Sequence, residues 1–200
     1  MRIEVMDYGV GNLHSISKGL ERAGGSVEIV SDPLRLLRSE CIVFPGVGAF
    51  GAAMDALKPV VPALRERIAK ERIPTLGVCL GMQILFQKSQ ESTGEGLSVL
   101  KGVVSKLSAP RIPQMGWNEV VSKKDPLFEG IPQSSQFYFA NSFVCEPAER
   151  IAVAETDYGQ VFSSAVRKGP LCGVQFHPEK SDVQGLRLLK NFVGIAEGTL

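Results

Sequence analysis

The sequence predicts an α/β protein: a doubly wound, mixed, mostly parallel sheet flanked by helices, with additional antiparallel strands in the second half. Three observations carry this expectation. Up to about residue 85, short continuous apolar runs alternate with segments whose apolar residues recur at helical spacing. Glycine loops at 9–11, 46–51 and 77–81 each follow one of those runs, so they are expected along one edge of the sheet. Beyond residue 100, β-type segments succeed one another with few helices between them, the pattern of antiparallel pairing.

In chain order, Arg2 to Asp7 reads as the first strand, followed by the loop Asp7-Tyr8-Gly9-Val10-Gly11-Asn12. Asn12 can cap a helix whose apolar face is Leu13, Ile16 and Leu20 and which Gly24-Gly25 ends. Val27 to Val30 is the second strand, and Ser31-Asp32-Pro33 turns the chain. Cys41-Ile42-Val43-Phe44 is a third strand of the fully buried kind. After the loop from Pro45 to Gly51, one helix carries Met54 and Leu57 and another Val61, Leu64 and Ile68. A fourth strand then leads through Thr75-Leu76-Gly77-Val78 into Cys79 and a helix with Leu80, Ile84 and Leu85. Later β-segments are expected at Val103 to Leu107, Asn118 to Val121, Gln136 to Phe139, Ile151 to Glu155, Val161 to Arg167 and Leu171 to Gln175. A closing helix from Gln184 to Ile195 puts Leu186, Leu189 and Val193 on one face. No linker or repeat interrupts the 200 residues, so residues 1–200 are expected to form one domain.

Hydrophobic residues make up 44% and charged residues 22%, an ordinary balance for a soluble globular protein. A net charge of +1 gives no reason to expect nucleic acid or an anionic membrane as partner. No apolar run is long enough to span a bilayer and no secretory leader is evident, so the expected location is the cytoplasm. The four cysteines (Cys41, Cys79, Cys145, Cys172) lack C-x-x-C spacing. That argues against a zinc site and a disulfide framework, and no metal or cofactor is expected.

Gly77-Val78-Cys79-Leu80-Gly81 is the cysteine version of a nucleophile elbow. A nucleophile on a strand-to-helix turn has a strained backbone, and its neighbours two residues away must lack side chains for the turn to close. The helix N-terminus favours the thiolate, and the N–H of Leu80 would point at a developing oxyanion. A cysteine nucleophile needs a base. His14, near the start of the first helix, reads as a surface histidine. His177 lies at a strand end in Gln175-Phe176-His177-Pro178-Glu179-Lys180-Ser181, and two-residue spacing in an extended segment lets Glu179 face the same site and orient the imidazole. The segment 46–51 is literally G-x-G-x-x-G. It follows the wrong strand for a dinucleotide fingerprint, and the acids about 20 residues on, Glu66 and Glu71, fall on a helix. Trp117, the only tryptophan, stands in a stretch that reads as a loop, as a core residue or as an interface anchor.

Together, Gly77 to Gln83 and His177-Pro178-Glu179 resemble the class I (triad) glutamine amidotransferases. With Asp7 to Asn12, Pro45 to Phe50, Pro113 to Asn118 and Gln175 to Ser181, in the family's order over nearly the whole chain, the resemblance narrows to the family of glutaminase subunits of imidazole glycerol phosphate synthase. It implies a flavodoxin-like core and a triad in which Cys79 attacks the glutamine carboxamide, His177 relays the proton and Glu179 holds His177. It implies oxyanion contacts from the N–H groups of Leu80 and Val47, the latter after a peptide reorientation. L-Glutamine is expected against Gly46, Gly48, Gln83 and Glu91 on one side and Asn141, Ser142 and Phe143 on the other, although His commonly stands at 141 and Tyr at 143 in this family. Asn12, Met115, Trp117, Asn118 and Lys180 are expected to face a (β/α)8-barrel cyclase subunit. Ammonia would pass to that partner, since the chain leaves no residues to bind an acceptor. The alternatives are a triad amidotransferase of another pathway, a free-standing cysteine hydrolase and a non-catalytic binding domain.

Overall fold

A computed structural model describes residues 1–9, 13–46 and 48–200. Strand β1 (Arg2–Met6), helix α1 (Leu13–Arg22), β2 (Ser26–Val30), β3 (Ile42–Phe44), α2 (Phe50–Leu57), α3 (Val61–Glu66), β4 (Thr75–Val78) and α4 (Leu80–Gln83) form the first half. The second half holds β5 (Lys88–Ser89), β6 (Gly102–Lys106), β7 (Gln114–Ser122), β8 (Ser134–Asn141), β9 (Phe143–Pro147), β10 (Ala152–Asp157), β11 (Val161–Lys168), β12 (Leu171–Val174) and α5 (Asp182–Glu197).

The main path through the sheet runs β2-β1-β3-β4-β12-β11-β10-β7-β8. From β2 to β12 every neighbouring pair is parallel; from β12 to β8 every pair is antiparallel. β12 is therefore the seam between two styles of sheet. β9 pairs with β11 and β6, and β5 with β6, as a side branch.

Period-two alternation explains how the sheet is covered on both faces. Ile3, Val5, Val43, Leu76 and Val78 point to one core with Leu13, Ile16 and Leu20 of α1 and Leu188, Leu189 and Phe192 of α5. Met6, Ile42 and Phe44 point to the other core with Phe50, Ala53 and Leu57 of α2 and Leu64 of α3. Strands buried on both faces read as continuous apolar runs for this reason. No helix among the described residues is long and apolar enough to cross a membrane.

Four sequence expectations need correcting. The stretch 113–118 is not a loop: β7 begins at Gln114 and pairs residue by residue with β8. β9 has no counterpart among the expected strands. The helix after Cys79 is a single turn, Leu80–Gln83, so its dipole is small, and the Cys79 side chain makes no capping hydrogen bond to it. On α5 the buried face is Gly185, Leu188, Leu189, Phe192 and Val193, while Leu186 sits at its margin.

Candidate active site

Two strand ends create the site. β4 and β12 lie side by side in parallel with Val78 opposite Val174, and the backbone N–H of Cys79 donates to the Val174 carbonyl at 2.7 Å. Chain segments nearly a hundred residues apart thus leave the sheet at the same level. Cys79 is the first residue beyond β4, and His177 is the third beyond β12.

Cys79 has φ 48° and ψ −106°, a conformation L-residues rarely adopt. The flanking glycines make it possible. A Cβ on Gly77 would lie 2.5 Å from the Gly81 carbonyl oxygen, and one on Gly81 would lie 1.9 Å from the Phe44 carbonyl oxygen. Gly46, just past β3, is wedged between the two reactive side chains. A Cβ there would come 2.9 Å from Cys79 Cβ and 2.9 Å from His177 Cε1.

His177 Nδ1 is 2.8 Å from Glu179 Oε1; the histidine is buried and the glutamate partly so. The pair does not meet through extended backbone as the spacing suggested. Pro178 starts a single 3-10 turn, Pro178–Lys180, and the turn swings Glu179 back under the ring. The histidine is clamped on both sides of its backbone: its N–H donates to the Tyr138 carbonyl (2.8 Å), and the Ser181 hydroxyl donates to its carbonyl (2.6 Å). Ser181 Oγ in turn accepts from the Tyr138 N–H (3.0 Å), tying the turn to β8. Sequence spacing gave Ser181 no role, because its partner strand is 43 residues away.

Burial alone would pull the His177 imidazole down from its ordinary value. Hydrogen bonds to Cys79 and Glu179, and their charges, outweigh burial and raise it to about 10. Because the folded value lies above the ordinary 6.5, the protonated ring stabilises the fold fully below about pH 6.5, and that stability is lost as pH rises towards 10. Urea unfolding at pH 6, 8 and 10 should therefore show wild type losing about 1–2 kcal/mol more than Glu179→Gln, whose neutral amide holds imidazolium less well while the contribution of Cys79 remains. Parallel pH profiles for the two proteins would count against the ion pair.

Beside the sulfur lies a cavity of about 220 Å³. Gly46, Gly48, Gln83, Glu91, Asn141, Ser142 and Phe143 all line it, together with Cys79, Leu80 and Ala140. Its volume suits a single amino acid. Asn141 Nδ2 (3.1 Å) and Gln83 Nε2 (3.3 Å) both donate to the Phe143 carbonyl, so residue 143 contributes a backbone acceptor to the wall whatever its side chain. Glu91 Oε2 accepts from the Phe50 N–H (2.9 Å), holding the start of α2 at the cavity rim. A larger cavity of about 410 Å³, bordered by Phe50, Met54 and Arg65, contains none of Cys79, His177 or Glu179. Among the described residues, no group of three or more His, Cys, Asp or Glu is placed to hold a metal ion.

Val47 and Asn12 lie outside the described residues. On β7, Met115 (68% exposed) and Trp117 (50% exposed) face outward together. Trp117 meets Tyr138 edge-to-face at 6.3 Å, and Lys180 Nζ sits 5.5 Å above the same ring. Trp117 is thus an exposed residue, not a core one. Asn118 does not share this face. Strand alternation turns it the other way, where its Nδ2 donates to the Asp157 carbonyl of β10 (3.0 Å). His14 is exposed.

Residues 4–195 match the family described as Glutamine amidotransferase class-I. The chain is 44% identical over 198 residues to the imidazole glycerol phosphate synthase subunit HisH of Methanosarcina barkeri, covering 96% of this chain and 98% of that one. It is 45% identical over 194 residues to the HisH subunit of Methanocaldococcus jannaschii, with the same coverage. Among solved structures, the glutaminase domain of Trypanosoma brucei CTPS is similar with a TM-score of 0.72 at 18% identity, over 100% of this chain and 95% of that chain, a likeness of fold.

Proposed function

This chain belongs to the class I glutamine amidotransferase family, and on that footing we propose that it is the glutaminase subunit of an imidazole glycerol phosphate synthase, a cytoplasmic single-domain chain. The observation that carries the reading is the meeting of Cys79 and His177 around Gly46 at the mouth of an amino-acid-sized cavity.

The sulfur of Cys79, its proton on His177, attacks the carboxamide carbon of L-glutamine. The oxygen of that group gains the charge, next to the N–H of Leu80, which at the first position of a helical turn has no intrahelical partner. The N–H of Val47 is the second donor in this reading. The C–N bond breaks and His177 delivers its proton, so ammonia leaves and a glutamyl thioester remains. Water, deprotonated by His177, attacks the thioester; the C–S bond breaks and glutamate departs. Glu179 steadies the charged ring in both halves.

Ammonia released into bulk water would be protonated and lost. A (β/α)8-barrel subunit that covers Met115, Trp117 and Lys180 would receive it in a closed passage and join it to a ribulosyl-formimino nucleotide, forming imidazole glycerol phosphate and aminoimidazole carboxamide ribotide. Glutamate release should be low from the chain alone and rise when the partner carries its nucleotide, as a coupling between the two sites. Equal turnover with and without the loaded partner would overturn this reading in favour of a free-standing hydrolase. Trp117→Ala should weaken partner binding by about ten-fold or more while leaving the melting temperature of the free chain nearly unchanged, because the ring is half exposed. Titration calorimetry and a thermal melt read the two quantities separately.

A further inference from the structure

We propose that Gln175 is a further catalytic residue: its side-chain N–H donates to the Cys79 sulfur and favours the thiolate, while Gln83 fixes the direction in which that amide points. The inference rests on Cys79 being the nucleophile. Gln175 follows β12 and is fully buried, with Nε2 3.4 Å from Cys79 Sγ and Oε1 3.2 Å from Gln83 Nε2.

Which end of the Gln175 amide faces the sulfur follows from the chain of partners. The Phe143 carbonyl oxygen can only accept, so the Gln83 atom 3.3 Å from it must be the nitrogen. That same nitrogen meets Gln175, so Gln175 must present its oxygen there. Its NH2 group is left facing the sulfur. A carbonyl at the pocket wall thus dictates a donor at the nucleophile through two amides.

The chemistry gives this donor a use at two moments. A thiolate accepts a hydrogen bond well and a thioester sulfur does so poorly. The N–H therefore favours the charged sulfur before attack. When water adds to the thioester and the C–S bond breaks, the electron pair returns to a sulfur that already faces a donor.

The test is the pH dependence of Cys79 alkylation by iodoacetamide in the full chain, read by mass spectrometry, for wild type, Gln175→Met and Gln175→Glu. Burial pushes the thiols of Cys41 and Cys145 well up, and that of Cys172 to about 12, so the other cysteines serve as unreactive internal references. Loss of the donor should move the Cys79 curve to higher pH by about one unit in Gln175→Met, roughly a ten-fold slower reaction at neutral pH. Gln175→Glu, which keeps an acceptor for Gln83 but sets a negative charge beside the sulfur, should move it further. It also serves where Gln175→Met does not fold. A merely structural role would lower the melting temperature and leave the curve in place. Unmoved curves in folded variants with a reactive wild-type Cys79 would overturn the role of Gln175 alone. A wild-type Cys79 no more reactive than Cys41 would overturn the nucleophile as well.

Discussion

Cys79→Ala should reduce glutamate release by a factor on the order of 10⁴ or more, with the fold intact. The expectation comes from the site's division of labour. Gly46, Gln83, Asn141 and the Phe143 carbonyl still shape the cavity in this variant, and His177 still rests on Glu179. What disappears is the only atom able to form the covalent intermediate. The alanine methyl keeps the Cβ that the strained turn already accommodates, so stability should change by no more than about 1 kcal/mol. Glutamine should still bind. A coupled glutamate assay and titration of glutamine into the variant check both halves. Residual turnover within a hundred-fold of wild type would mean that the nucleophile lies elsewhere.

Gly81→Ala should have the largest effect on stability. The added methyl would lie 1.9 Å from the Phe44 carbonyl oxygen and 2.6 Å from its carbonyl carbon, both backbone atoms of β3. A flexible side chain could swing aside; a strand in the middle of a parallel sheet cannot. We expect a loss of about 3–5 kcal/mol, a fall in melting temperature of roughly 10 °C. Gly51→Ala makes the same chemical change inside α2, where the new methyl meets Ser92 Cβ at an ordinary 3.5 Å. That variant should be neutral or more stable by up to about 1 kcal/mol. Thermal melts of the pair would therefore move in opposite directions. A Gly81→Ala protein that melts with wild type would show that the turn at Cys79 does not depend on its glycines.

The parts of the molecule that were legible in the sequence are those governed by local periodicity and local sterics. β1, β3 and β4 announce themselves because strands covered on both faces must be apolar throughout. The elbow announces itself because glycine is forced two residues either side of Cys79. β7 was harder to see, because Pro113 and Gly116 imitate a loop; Gly116 in fact lies within the strand at φ 117°. β9 hides because only Ser142 separates it from β8 and it ends in Pro147. The resemblance places Asn118 beside Trp117 at the partner surface; on the strand its side chain turns to the Asp157 carbonyl instead, a contact across 39 residues. The roles of Ser181 and Gln175 depend on contacts across 43 and 96 residues of chain, which no local pattern contains. The pairing of His177 with Glu179 was expected from strand geometry and is achieved by a turn, two local routes to the same contact.

The seam strand has a consequence for how the protein is born. β12 follows every other strand in the chain, yet it occupies the middle of the sheet, between β4 and β11. Until residues 171–174 emerge from the ribosome, β4 presents a bare edge on one side and β11 on the other, each able to recruit a foreign strand. The nascent chain must carry two half-sheets that only residues 171–174 stitch together, so Cys79 and His177 are brought side by side in the same step that closes the sheet.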